Sequence, residues 1–358
     1  MTRLRASETE FVRPESVPEG AVVSVFRVPP EVAGQRLDVF LTQELRRTSR
    51  TRAQVIIRAS AFDDRGRKLR PNDRVHAEQK VLLWRPAWDE TPVPQDVPVL
   101  YEDDHLMAVS KPAGLPVHPT ARYHKNTLIV ILKTARPGAF LSLGHRIDRE
   151  TSGVLLITKS AECDRLLKKS FEDRDDIEKS YVALTWGLPT TRPHDDVTPS
   201  TTPTSTLARV GEMFRFECRI ALPERAKYGV KMEVTGDADD MHSATRFTVE
   251  ESRQHPEDGR VYARVRCDLE TGRQHQIRLH LAALGSPIVG DKLYGPDDGC
   301  FPRGADGELT LDDLALLELP RHALHARSLT FNHPMTGERL AIQAPLPADL
   351  AAFWDGLA

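Results

Sequence analysis

The chain has 358 residues, 40% of them hydrophobic, which is enough for a sizeable core and by length points to two domains. No apolar run approaches the roughly eighteen residues of a membrane-spanning helix, and the opening MTRLRASETEFVRPE lacks the apolar centre of a secretory signal. Cys163, Cys218, Cys267 and Cys300 are scattered with no C-x-x-C pair, so a cytoplasmic protein with reduced thiols is expected, not a disulfide frame or zinc site.

Residues 1–33 hold several Pro and Glu and read as a loose or partly stranded lead-in. The next stretch carries the chain's charge asymmetry. Residues 34–85 contain 13 Lys+Arg against 6 Asp+Glu, a balance of +7, which leaves −10 for the rest of a chain whose total is −3. A basic module on an acidic body suits a polyanion-binding appendage. Leu37, Phe40, Leu41 and Leu45 fall on one helical stripe. Thr48 or Ser49 can cap a second helix with Val55, Ile56 and Ile57 available for the core. A polar turn at Asp63-Asp64-Arg65-Gly66 and a strand Val81-Leu82-Leu83-Trp84 follow. Two short basic helices before a small sheet resemble the αL RNA-binding domain of ribosomal proteins and tyrosyl-tRNA synthetases, best over GQRLDVFL…SRTRAQVIIRAS. Residues 34–86 are therefore expected to bind RNA phosphates through Arg46, Arg47, Arg50, Arg52, Arg65, Arg67 and Lys68.

The Pro-rich residues 87–98 read as a linker. From residue 99 to about 350 the pattern predicts a larger α+β domain with a mainly antiparallel sheet. VLYEDDHLMAVSKP reads as two strands around an acidic turn, GVLLITKS as a buried strand, and AECDRLLKKSFED as a helix. EKSYVALTWG, RFECRIAL and ATRFTVEES read as strands, as does GRVYARVRCDLE, where Val261, Ala263, Val265, Cys267 and Leu269 share one face. GRQHQIRLHLAALG is a helix stopped by Gly285. HALHARSLTF and RLAIQAP are the last strands, and the Thr/Pro-rich residues 190–206 read as a surface insertion.

The chemistry centres on GHRIDRETSG, residues 144–153. If HRID is extended, Arg146 and Asp148 project to one side and His145 and Ile147 to the other. An aspartate before Thr-Ser-Gly is by itself an ordinary turn cap. A protein-kinase loop is excluded, because Ile147 interrupts His-Arg-Asp and no glycine-rich loop or Asp-Phe-Gly accompanies it. The company of this block decides. LYEDDHLMAVSKPAGLPVHPT, GHRIDRETSGVLLITKS, EKSYVALTWG, LETGRQHQIRLHLAALGSPIVGDKLYG and HALHARSLTFNHPMTGE occur in this order. Together they resemble the RluA-type pseudouridine synthases over nearly all of residues 99–347.

The resemblance implies an isomerase that converts uridine in RNA to pseudouridine, needing one carboxylate and neither cofactor nor metal. It implies that Asp148 is the catalytic carboxylate, that Arg278 pairs with it, that Arg146 helps fill the space left by a flipped nucleotide, and that Tyr181 stacks on the base. His145, Thr151, Lys179, Arg273 and His275 are the further substrate-binding candidates. An ionised Asp in a dry pocket needs a neighbouring cation, and a dry pocket would protect a detached sugar from hydrolysis. Ribosomal RNA of the large subunit is the expected substrate and transfer RNA the alternative; a monomer is expected. A binding-only ribosome assembly factor would not need Asp148, Tyr181 and Arg278 together, and a nucleoside hydrolase would release free uracil. The histidines argue against a metal hydrolase, since His275 and His280 are five apart on a helix, and His322 and His325 are three apart on a predicted strand.

Overall fold

The structure is a computed structural model describing residues 11–45, 48–86, 90–120, 122–173, 176–191, 206–223 and 228–358. Arg46, Arg47 and most of the insertion at 190–206 lie outside the described residues. The chain divides into two compact units, Met1–Glu90 and Thr91–Ala358.

In the first unit, β1 (Val22–Arg27) precedes α1 (Leu37–Glu44), α2 (Arg50–Ser60), β2 (Ala61–Phe62) and β3 (Lys80–Arg85). The sheet order is β1-β3-β2. The expected lead-in thus contains a full strand, antiparallel to β3 from Val22 opposite Arg85 to Arg27 opposite Lys80. Proline-rich flanks hide it, although VVSVF is β-branched and aromatic. Ser49 caps α2 by accepting from the Arg52 amide at 3.3 Å. Leu37, Phe40, Leu41 and Ile57 are buried, whereas Val55, expected to be available for the core, faces solvent at 48% exposure.

The second unit begins with β4 (Val99–Glu102), β5 (Leu106–Lys111), α3 (Leu128–Ala135), β6 (Ser142–Leu143), β7 (Ser152–Thr158), α4 (Ala161–Asp173) and β8 (Glu178–Trp186). Then follow β9 (Thr190–Thr191), β10 (Thr206–Leu207), β11 (Met213–Ala221), β12 (Glu233–Thr235), β13 (Met241–Gln254) and β14 (Val261–Leu269). The chain closes with α5 (Gln276–Ala283), α6 (Cys300–Asp306), α7 (Leu311–Leu317), β15 (Leu324–Asn332), β16 (Arg339–Gln343) and α8 (Ala348–Asp355). The main sheet runs β12-β11-β13-β14-β8-β15-β7-β5-β4, with β16 on β15 and β6 on β7. Its strands pair antiparallel except β15 with β7. This is the expected α+β class with a mainly antiparallel sheet.

β7 is buried along its whole length, as a central strand covered on both faces requires. Its start is set by Gly153, whose φ is 113°. A Cβ there would lie 2.1 Å from the Ala326 carbonyl oxygen, so only glycine lets β7 approach β15. That approach fixes the loop that carries Asp148.

Candidate active site

Residues 144–151 form a loop outside the sheet, and the strand begins at Ser152. Several distant elements hold this loop. Ser152 Oγ lies 3.0 Å from His325 Nδ1, and His325 Nε2 lies 3.2 Å from the Ala344 carbonyl. Thr151 Oγ1 lies 2.8 Å from His322 Nε2. Because His322 precedes β15 rather than lying in it, both histidines reach the Thr-Ser pair despite their spacing of three. Lys111 is fully buried and donates to the carbonyls of Pro112, Leu115 and Arg149 at 2.8–2.9 Å. Burial lowers its ammonium to about 7. Lys292 donates to both oxygens of Glu150 at 2.9 and 3.0 Å, clamping the residue two beyond Asp148.

The centre of the site is a chain of charges. Arg278 on α5 donates from Nη1 to Asp148 Oδ2 at 2.9 Å. Its other face donates to Asp291, Nε to Oδ2 at 2.6 Å and Nη2 to Oδ1 at 2.8 Å. Asp291 is wholly buried and also accepts from the amides of Leu293 and Tyr294. A bidentate pair of this kind fixes the guanidinium plane. Burial works against the Arg278 charge, but Asp291 and Asp148 more than offset it and raise the group. Burial would likewise raise the Asp148 carboxyl, yet the Arg278 charge brings it below the ordinary carboxylate range. Asp148 is therefore an anion at neutral pH. Among the described residues, its Oδ1 has no hydrogen-bond partner, and its side chain is 31% exposed.

The exposed side faces a cleft of about 970 Å³. His145, Arg146, Asp148, Lys179, Tyr181, Arg273 and His275 line it, while Thr151 and Arg278 join Asp148 and Tyr181 around a smaller recess at its base. The structure thus brings together all nine residues proposed from sequence for chemistry and substrate contact. The pocket differs from the dry one expected, since the cleft is open. Tyr181 is 8% exposed on β8, and burial together with the Asp148 charge raises its phenol, so the hydroxyl stays protonated. Lys179, on the same side of β8, lies with Nζ 4.4 Å above the Phe171 ring. Arg273 donates from Nε to the His242 carbonyl at 3.2 Å.

Two candidates also serve as props. Thr151 is 2% exposed and committed to His322. His145 packs on Phe171 with ring centroids 5.2 Å apart, and its Nε2 accepts from the Leu156 amide at 3.3 Å. Burial lowers His145 to about 3, so it is neutral and suited to that acceptor role. Asp291, Glu150, Lys292, Lys111, His322 and Tyr294 were not assigned a role from sequence. The blocks VGDKLYG, VSKP and HALH contain most of them, but only the fold shows that they meet.

In the first unit, the expected phosphate contacts are partly committed. Arg50 donates to Asp38 at 3.1 Å, Arg67 to Asp63 at 3.1 Å, and Lys68 to the Ala59 carbonyl at 2.8 Å in the last turn of α2. Lys68 is exposed and its ammonium also closes the end of α2. Arg52 and Arg65 are exposed.

Among the described residues, one group could share a cation: Asp297, Cys300 and Asp313. The Arg303 guanidinium already bonds both carboxylates, at 2.6 Å to Asp313 and 3.3 Å to Asp297. All four cysteines are free thiols. No described helix is long and apolar enough to cross a membrane.

Comparison with known proteins places this geometry. The model of a family described as RNA pseudouridylate synthase matches residues 105–283. Ribosomal large subunit pseudouridine synthase D of Xanthomonas campestris is 32% identical over 339 residues, covering 92% of this chain and 91% of that protein. The protein of the same name from Pseudomonas aeruginosa is 32% identical over 330 residues, covering 90% and 92%. Among solved structures, human RNA pseudouridylate synthase domain containing 1 superposes with a TM-score of 0.51 at 22% identity, covering 71% of this chain and 86% of that one, a likeness of fold.

Proposed function

This chain belongs to the RluA-type pseudouridine synthases, and from that premise we propose that it isomerises uridines of large-subunit ribosomal RNA with Asp148 as its catalytic carboxylate. The observation that carries the reading is the asymmetry of Asp148: Oδ2 is held by Arg278 while, among the described residues, Oδ1 has no partner beside the cleft. The relatives named for the large ribosomal subunit support the choice of RNA.

A uridine flipped from its stack brings its sugar to Asp148. The carboxylate either attacks C1′ or takes the 2′ proton to give a glycal, and the N1–C1′ bond breaks with its electron pair on the uracil. The uracil turns and its C5 bonds to C1′ as the Asp148–C1′ ester bond breaks or, on the glycal route, as C2′ regains its proton from Asp148; the C5 proton then departs and N1 gains one. Atoms and electrons balance without an oxidant, and no step calls for a metal. Arg278 keeps Asp148 ionised until it reacts, because Asp291 holds the guanidinium from behind. The nucleotide itself closes the open cleft against water.

Tyr181 offers its ring to the uracil. Stacking of this kind contributes about 1–3 kcal/mol, against a few kcal/mol for base extrusion. Its raised phenol argues against a resident base at that oxygen. Arg146, exposed at the cleft, occupies the space the flipped nucleotide vacates. Lys179 and Arg273 meet the phosphates and base edge, while His275 stands beside Asp148. The first unit adds affinity without sequence choice, through Arg52 and Arg65 together with the remaining basic residues.

The test is incubation of the purified chain with large-subunit ribosomal RNA from a strain lacking it, followed by pseudouridine mapping. Discrete new pseudouridines are expected, with transfer RNA unchanged and turnover unaffected by excess EDTA. Modification of transfer RNA alone would overturn the substrate, and release of free uracil would make the chain a hydrolase.

A further inference from the structure

Arg278 faces Asp148 from one side. A second group faces it from another. His275 Nε2 lies 3.9 Å from Asp148 Oδ2, while its Nδ1 lies 3.1 Å from the Tyr294 hydroxyl. We propose that Tyr294 is a positioning residue, which fixes His275 as the tautomer with its proton on Nε2 and so presents an N–H, rather than a lone pair, to the catalytic carboxylate.

The Met232 amide lies 2.8 Å from the Tyr294 oxygen, and an amide N–H can only donate. That oxygen is therefore already an acceptor. Tyr294 is 7% exposed, so its own hydroxyl hydrogen needs a partner. His275 Nδ1 is the acceptor in reach. Nδ1 must then be bare, and a neutral imidazole carries its hydrogen on Nε2, facing Asp148. Burial lowers His275 to about 4, which agrees with a neutral ring at physiological pH. The relay runs Met232 N–H to Tyr294 oxygen, Tyr294 O–H to His275 Nδ1, and His275 Nε2–H toward Asp148.

Two further features show that the arrangement is held in place. His275 has φ 56°, a left-handed backbone that a non-glycine residue adopts at some cost and that the surrounding structure must maintain. The ring stands edge-on to Tyr294, with centroids 5.7 Å apart. Tyr294 is in turn positioned by Asp291, which accepts from its backbone amide at 3.0 Å while gripping Arg278. One buried carboxylate thus orients both groups that flank Asp148.

The consequence is a change of sign. With Nε2 protonated, the imidazole dipole stabilises the Asp148 anion. With the other tautomer, a lone pair would face the carboxylate across the same 3.9 Å and raise its pKa. The other titratable groups acting on Asp148 are Arg278, His322, Lys111, Tyr181 and Tyr294 itself. None of them is altered in charge by removing the Tyr294 hydroxyl, which is neutral.

The inference rests on Asp148 as the catalytic carboxylate, but its first test does not depend on activity. The full chain is labelled with ¹⁵N-histidine, and the His275 signals are identified by their loss in His275→Gln. At pH 7 a bare Nδ1 and a protonated Nε2 are expected; a protonated Nδ1, or a charged ring, would overturn the proposal. The second test is the pH dependence of single-turnover rate for Tyr294→Phe. Its rate is expected to begin falling about one pH unit higher than that of the unaltered chain. His275→Gln, whose amide can offer an N–H, should stay closer to the original profile than His275→Ala. A Tyr294→Phe rate lowered equally at every pH would reduce Tyr294 to a packing residue. Should Asp148→Asn prove fully active, the catalytic reading fails while the tautomer measurement still stands or falls alone.

Discussion

Asp38 in the first unit and Asp148 in the second are both held by arginines, and they are held differently. Asp38 on α1 is wholly buried and saturated: Arg36 grips both its oxygens at 3.1 and 2.9 Å, and Arg50 and Gln54 reach Oδ2 at 3.1 and 2.7 Å. Arg36 above all holds its carboxyl far below the ordinary range, and burial does not undo this. Asp148 has one arginine on one oxygen, and its other oxygen opens on a cleft. A carboxylate whose acceptor sites are all used fastens a fold, here the start of α1 to α2. A carboxylate kept ionised with a free oxygen can act on a substrate.

Substitutions can break this contrast. Short of removing Asp148 itself, the largest effect is expected for Arg278→Ala, which should lower turnover about a hundredfold or more, far beyond Arg264→Ala. Arg264 meets Glu250 and Glu251 at 3.4 and 2.8 Å and does not touch Asp148. Single-turnover rates on saturating RNA provide the check, and equal losses would remove Arg278 from its role. Asp38→Asn should do the reverse, lowering the melting temperature of the first unit by about 5 °C while the rate per folded molecule on saturating RNA holds. A lost rate with unchanged melting would place Asp38 in function. For the pair Arg52→Ala and Arg65→Ala, RNA affinity should drop a few-fold and the slope of log affinity against log salt should shrink by about one to two. An unchanged slope would exclude both from phosphate contact. The smallest effect is expected for Tyr181→Phe, which keeps the ring and should leave RNA affinity intact; a large loss of rate at constant affinity would give its hydroxyl a part in moving the C5 proton.

The same contrast marks what the sequence discloses. Strands of the second unit were legible because burial on one or both faces imprints a period or an apolar run, as in GVLLITKS and GRVYARVRCDLE. α4 matched its expected bounds, Ala161–Asp173. β1 was hidden by proline and glutamate on its flanks, and α6 and α7, of seven residues each, span barely two turns in which to show periodicity. Asp148 and Arg278 were paired by family resemblance, since nothing in a spacing of 130 residues tells which arginine arrives. Asp291 is 13 residues from Arg278, and only the turn after α5 brings it behind the guanidinium. The Thr-Ser of the central block and the two histidines of HALH looked unrelated, and the parallel pairing of β7 with β15 is what joins them.

The central claim is that a single ionised carboxylate at position 148 performs the isomerisation. The most direct measurement is the single-turnover conversion of uridine by Asp148→Asn, with RNA binding measured on the same preparation. Asparagine keeps the shape and can still lie beside Arg278, so binding should persist while conversion falls by at least about a thousandfold. Conversion at the rate of the unaltered chain would contradict the account.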